Sequence, residues 1–507
     1  MRDLKLTRRG ALKAGLVTTA ASSLGLFGER ARAQAQPADR KFLFVVCAAG
    51  GGSLIDSFLP VVDSESQNGS TRVAYPAALV AQPAGSSLRV VEAPLGAGLG
   101  EGFKREFVQR HMNDIAVMTQ EGTSVNHLVA QKRSVNGAGI NKGRTLMEAH
   151  ALRHGEGMLL ANVNMAASGF LEPGDDPQVP SFARGVPVAD ALLFPLSTDG
   201  VRGVPGAPGA PDGEAPDEAE LARTKALLAR ARGVRDRLEQ KSVFGQTFRN
   251  APVRRSYLDN RAALQPAIEA SDLITKLMMV PDVPAIPLGQ YGLRSSEEQQ
   301  RVFEVFPNLI EDPFEAQAAL AFLLVRYGVS CTVTISPSFS PLLQGGQLKN
   351  PPLAFDFSHN DHVTAQYVMW RRVLKAIDGL ITLLKEQPYG DGTLWDRSLV
   401  YVATDFGRSK TRPDGASQFG SGHHLNNGNL FISPLLRGNR VYGGVDPDTC
   451  LTYGFDLETG EPLPTPRALG ELPPPTMPRE GHVYSAAAQA LDIDFEGRID
   501  IPCMMRS

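Results

Sequence analysis

The chain has 507 residues, with 51 Lys and Arg against 54 Asp and Glu, a formal charge of −3 and a hydrophobic fraction of 42%. This is ordinary globular composition, and without a Lys/Arg-rich tract interleaved with aromatics it gives no support to nucleic-acid binding. Four cysteines, Cys47, Cys331, Cys450 and Cys503, lie far apart with no CxxC spacing; Cys47 and Cys331 sit in apolar, strand-like runs and read as buried thiols, and Cys450 with Cys503 is the candidate pair for a disulfide in an oxidising compartment.

Residues 1–35 read as an export signal and are set apart from the fold. Thr7-Arg8-Arg9-Gly10-Ala11-Leu12-Lys13 is a twin-arginine pattern, Ala14 to Phe27 is moderately apolar, and Ala31-Arg32-Ala33 offers a small-x-small cleavage site. The apolar run is too short for a comfortable membrane span, and no later segment is long and apolar enough for one. The expected location is therefore periplasmic or secreted, with the twin-arginine translocase as a partner during export.

The remaining ~470 residues allow two or three average domains, or one large α/β domain with insertions. Lys41 to Ala48 is a continuous apolar run of the kind expected for a central parallel strand, broken by Gly50, Gly51 and Gly52. Ile115 to Met118 predicts a second strand, and 201–216 is Pro- and Gly-rich, which predicts a surface insertion. Helical patterns start near Asp217, continue from Tyr257 to Met279, and resume at Pro313 through Leu324, with proline near the first turn. Val329 to Ile335 predicts another strand. Gln366 to Glu386 predicts an amphipathic helix with Val373, Ile377, Leu380 and Leu384 on one stripe. Ser398 to Thr404 predicts a strand, and His482 to Leu491 the last helix. Strands alternating with helices in this way predict a three-layer α/β/α sandwich with a mostly parallel sheet. The expected organisation is an α/β domain in two parts, 36–200 and 313–507, around a linker and helical insertion at 201–312.

Four segments carry acids and imidazoles at or just after predicted strands. They are Asp56; Thr123-Ser124-Val125-Asn126-His127; Asp356-Phe357-Ser358-His359-Asn360-Asp361-His362; and Asp405 with His423 and His424. In a parallel sheet the carboxyl ends of the strands converge on one edge, so these segments are placed to meet there. Carboxylates and imidazoles in that number suit a divalent cation such as zinc, manganese or iron. The alternative for each is local: acids cap helices, and a His pair can sit in a solvated loop. His111, His150 and His154 fall in helical stretches and are read as structural.

Gly51-Gly52-Ser53-Leu54-Ile55-Asp56-Ser57-Phe58, Asn126-His127, Thr404-Asp405-Phe406-Gly407-Arg408, His423-His424 and Arg440-Val441-Tyr442-Gly443 match, in order, the motifs of a known family. From about Lys41 to Asp494 the chain resembles the domain-of-unknown-function 1501 family of twin-arginine-exported proteins, itself similar to the alkaline phosphatase and sulfatase superfamily. The resemblance implies an alkaline-phosphatase-like fold and one or two divalent ions that polarise a small anionic phosphate or sulfate ester. Asp56, His127, Asp356 or Asp361, His359 or His362, Asp405, and His423 or His424 would be the ligands. Ser124 or Thr123 would attack, Asn126 would bind an ester oxygen, and Arg408 would neutralise the substrate. Three departures stand out. Phe406 replaces a metal-binding His of the superfamily, Asp356 to His362 reads D-F-S-H-N-D-H where the family has W-D-x-H, and Asn126 replaces a residue that is often Ser. The resemblance is therefore equally compatible with a degenerate, non-catalytic relative acting as a binding or assembly protein of the cell envelope.

Overall fold

A computed structural model describes residues 39–92, 102–197 apart from 167, 189 and 193, 273–337 apart from 285–287 and 292, and 354–506, with positions 241 and 246 and the pairs 343–344 and 347–348. The export signal, the Pro/Gly segment and, apart from positions 241 and 246, the helical pattern from Asp217 to residue 272 lie outside the described residues.

Eight strands form one sheet: Phe42–Ala48 (β1), Ile115–Glu121 (β2), Asn162–Asn164 (β3), Val186–Pro187 (β4), Thr332–Ile335 (β5), Ser398–Thr404 (β6), Asn426–Ile432 (β7) and Arg440–Tyr442 (β8). Their order across the sheet is β8-β2-β7-β6-β1-β5-β3-β4. Every neighbouring pair is parallel except those made by β7, which runs against both β6 and β2. The fold is thus α/β with a large, mostly parallel central sheet. All residues of β1, β2 and β6 are buried, because both faces of the sheet are covered, and this explains the near-continuous apolar sequences of β1 and β6.

Among the described residues the covering comes from six helices of nine residues or more: Phe103–His111 (α1), His127–Asn136 (α2), Leu146–His154 (α3), Pro313–Arg326 (α4), His362–Glu386 (α5) and Glu480–Ala490 (α6). On one face Phe42, Phe44 and Val46 of β1 join a core with Phe107 of α1, Leu320 of α4 and Val373, Ile377 and Leu380 of α5. On the other, Leu43, Val45 and Cys47 join Val135 of α2, Met147 of α3 and Val483 and Ala487 of α6. Period-two alternation in a strand therefore feeds two cores, and each fully buried Val, Leu or Phe contributes about 1.5–3 kcal/mol. Val302, Phe306 and Leu309 belong to the same core as α5, so the C-terminal part of the expected insertion is integral to the main body.

Several boundaries differ from the sequence reading for local reasons. Helix α5 starts at His362, four residues before the expected Gln366, because the Asp361 side chain caps it by accepting from the Thr364 N–H at 3.2 Å. Helix α6 starts at Glu480 rather than His482. Strand β5 starts at Thr332, and Cys331 just ahead of it gives its N–H to Ala161. The Gly- and Asn-rich segment after the His pair contains β7, in which Asn426 and Asn427 act as peptide mimics. Asn427 accepts from the Leu54 N–H at 3.0 Å and donates to the carbonyls of Gly52 and Phe406 at 2.9 and 3.2 Å. Cys450 lies in the first core and Cys503 in the second, and all four cysteines are free and buried, so the expected disulfide is not formed. Among the described residues no helix is long and apolar enough to cross a membrane.

Candidate metal centre

The site forms where β1, β2 and β6 end and where β7, running the other way, begins. Ala48 and Thr404 are in register across the parallel pair, so the glycine turn after β1 faces Asp405 after β6. Gly50 and Gly51 have φ of +93° and +79°, the left-handed region, and point successive N–H groups at Asp405. The Gly50 N–H donates to Oδ2 at 3.0 Å and the Gly51 N–H to Oδ1 at 2.6 Å. Side chains have no room here. A Cβ on Gly50 would lie 2.5 Å from the Asp356 nitrogen, and one on Gly51 would lie 2.6 Å from Arg408 Nε.

His127 is the first residue of α2, which Asn126 caps by accepting from the Val129 N–H at 3.3 Å. Its Nδ1 lies 2.8 Å from Asp405 Oδ2. That oxygen already accepts a backbone N–H, so the ring nitrogen is the donor. The hydrogen bond to Asp405 raises the His127 pKa, against the opposing effect of burial. With Nδ1 protonated, the lone pair is on Nε2, which lies 3.4 Å from Asp356 Oδ1.

His423 is set in the same way. Its Nδ1 lies 2.9 Å from the Val125 carbonyl, which can only accept, so its Nε2 also carries a lone pair. Burial lowers the His423 pKa, and Arg408, His127 and His359 add to that effect, which favours the neutral ring a cation needs. His127, Asp356 and His423 each offer one ligand atom, all within 4.8 Å of one another. His359 stands at the rim: its Nε2 is 2.9 Å from His423 Nε2 and 3.4 Å from Asp356 Oδ1. Two imidazole nitrogens facing one another beside a carboxylate suit a shared cation better than a hydrogen bond, since the Arg408 guanidinium, 3.3 Å from His359 Nε2, also requires an acceptor there.

Phe406 and Arg408 build the walls. The Phe406 ring stacks on His423 with centroids 4.0 Å apart and meets His127 at 4.6 Å, fixing both ring planes. Arg408 is fully buried, and burial lowers its pKa despite Asp356. It donates to Asp356 Oδ1 at 3.0 Å, to the carbonyls of Phe355 and Ser421 at 3.3 and 3.2 Å, and to that of Gly50. Its charge is therefore spent on orienting Asp356 and the loops, not held out toward a substrate.

The other expected site residues lie elsewhere or have local tasks. Asp56 and His362 form a second, fully buried cluster, with His362 Nε2 3.0 Å from Asp56 Oδ1 and the Tyr75 hydroxyl donating to the same oxygen. Burial acts to raise the Asp56 pKa, but His362, Ser53 and Tyr75 outweigh it and hold the group at about 2. Lys104 reaches the Asp56 carbonyl at 3.5 Å, and burial brings the pKa of both Lys104 and Lys410 down to about 8. Asp361 is the α5 cap. His424 Nδ1 accepts from the Asn426 N–H at 3.1 Å, and burial, with Lys410 and Arg467, lowers its pKa to about 3. The Thr123 hydroxyl donates to Glu480 at 2.6 Å and accepts from Arg133 at 2.8 Å. Ser124 Oγ accepts from the Asn126 N–H at 3.1 Å.

Sequence reasoning missed Gln131, whose amide lies 3.4 Å from Asp405 Oδ2. It stands one helical turn after His127, and that i,i+4 spacing was the available signal. The Val125 carbonyl had no signal, because a backbone acceptor is not written in residue type. The chain matches no protein-family model, and no curated protein is significantly similar to it.

Proposed function

We propose that this protein is an exported metal-dependent hydrolase of phosphate or sulfate esters, of the alkaline phosphatase and sulfatase type. The observation that carries the reading is the convergence of His127, Asp356 and His423 at the carboxyl edge of the sheet, each with a ligand atom within 4.8 Å of the others, and with His359 beside His423. Mixed imidazole and carboxylate donors suit zinc, manganese or iron. A divalent cation held there supplies Lewis acidity toward a phosphoryl or sulfuryl oxygen. The chain's own groups do the rest. Val125 and Phe406 fix the His423 ring, Arg408 fixes Asp356, and the partly exposed imidazoles leave the centre open to an anionic ester. Between the two hydroxyls, the structure favours Ser124 as nucleophile, because Thr123 is held between Glu480 and Arg133.

A second reading has its own observation. Thr123, Ser124 and Asn126 are all engaged in hydrogen bonds within the fold, and Arg408 is buried, which favours a non-catalytic binding or assembly protein that keeps the metal centre. Protein reconstituted with zinc, manganese or iron and offered 4-nitrophenyl phosphate and 4-nitrophenyl sulfate separates the two. Hydrolysis that disappears in Asp356→Asn supports the enzyme. A folded, metal-loaded protein inert toward both esters sinks it and leaves the binding reading.

A further inference from the structure

The family resemblance makes Asp405 a ligand, but its surroundings give it other work. The side chain has no solvent exposure. Oδ1 accepts from the N–H groups of Gly51 and Phe406 at 2.6 and 3.2 Å. Oδ2 accepts from the Gly50 N–H at 3.0 Å and from His127 Nδ1 at 2.8 Å, with the Gln131 amide at 3.4 Å. An ionised carboxylate offers about four lone-pair sites, and four close donors already take them.

We propose that Asp405 is a positioning residue of a one-metal centre: it holds His127 with Nδ1 protonated and Nε2 turned to the cation shared with Asp356 and His423, and it does not ligate the metal itself. The arrangement is a carboxylate–histidine–metal relay, in which the outer carboxylate sets the tautomer and ring orientation of the inner imidazole. The glycine turn enforces it, because two left-handed glycines and Phe406 fix the carboxylate before any cation arrives. A second ion near Asp405 would have to displace those N–H groups. Asp56 stands apart in its own buried cluster, where its Oδ1 accepts from Tyr75 and faces His362. The inference rests on the metal-centre reading above and adds the number of ions and the route by which Asp405 acts.

A double-mutant cycle on zinc affinity, measured by competition with a chelator, tests it. Asp405→Asn alone is expected to weaken zinc binding about 10–100-fold with the stoichiometry still one. His127→Ala should weaken it at least as much, and adding Asp405→Asn to His127→Ala should change the affinity less than about threefold, because the carboxylate acts only through that ring. A direct ligand would instead give additive losses, and additivity, or two equivalents of zinc in the native protein, overturns the proposal. A native protein that binds no zinc, manganese or iron overturns the metal-centre reading and this one together, which distinguishes the two failures. Should Asp405→Asn fail to fold, nitrogen NMR of the His-labelled, zinc-loaded native chain decides, with His127 signals assigned by their loss in His127→Gln. A proton on Nδ1 and a metal-shifted Nε2 are expected; a bare Nδ1 refutes the relay.

Discussion

Replacing Gly51 by alanine strikes the turn on which the centre depends, and Gly415 supplies an internal control. Both glycines are left-handed, with φ of +79° and +65°. An alanine at either pays about 1–2 kcal/mol for that backbone region. The surroundings differ sharply. A Cβ on Gly415 meets nothing within 4 Å, whereas one on Gly51 lies 2.6 Å from Arg408 Nε and 2.9 Å from Phe406 Cε2. Neither neighbour can yield easily: Arg408 is buried among carbonyls and Phe406 is stacked on His423. Overpacking of this kind adds about 1–3 kcal/mol. Urea unfolding should therefore show Gly415→Ala less stable by about 1–2 kcal/mol and Gly51→Ala by about 2–5 kcal/mol. Gly51→Ala should also bind zinc more weakly, since the Gly51 N–H to Asp405 bond cannot survive the displacement. Equal losses in the two variants, or an unchanged zinc affinity in Gly51→Ala, would refute the role assigned to the turn.

Asn427→Ala removes the partner of three buried backbone groups on the site loops, so about 3 kcal/mol or more should be lost in urea unfolding; a loss below about 1 kcal/mol contradicts the peptide-mimic role. Asp56 is held at about 2 against an ordinary 3.8, which corresponds to about 2 kcal/mol of stabilisation. Because the folded pKa is the lower one, that term is complete above about pH 4 and is lost as pH falls through about 2, so the stability gap between native and Asp56→Asn should shrink across that window. A gap constant from pH 5 to pH 2 would show that the pair does not stabilise through its charge. Thiol titration of the denatured, unreduced chain should find four reactive cysteines, and two would show that Cys450 and Cys503 had paired after all.

The continuous apolar runs at Phe42–Ala48 and Ser398–Thr404 made the central strands legible, because burial on both faces leaves no alternation to misread. Strand β7 was not legible. Its Asn426, Asn427 and Asn429 carry loop chemistry in their residue type, and only tertiary contacts reveal that all three are buried and that the amides of Asn426 and Asn427 stand in for backbone. For the site, β1, β2 and β6 end at one edge, and His127, Asp356 and His423 come together there with His359 beside His423. Asp56 and His362 were placed in the same set because residue type and order cannot tell one buried cluster from its neighbour. Asp361 and Asn126 proved to be helix caps, the local use of such residues that their positions before α5 and α2 already allowed. Whether Asp405 touches a cation or a histidine depends on the rotation of one imidazole, which no spacing encodes.

Metal content is the most direct test of the account. The native protein, purified without chelator and analysed by inductively coupled plasma mass spectrometry, should carry one equivalent of zinc, manganese or iron per chain. The Asp356→Ala/His423→Ala variant, folded by circular dichroism, should carry none. A folded native protein with no bound metal that takes up none of the three ions on dialysis would contradict the metal centre itself.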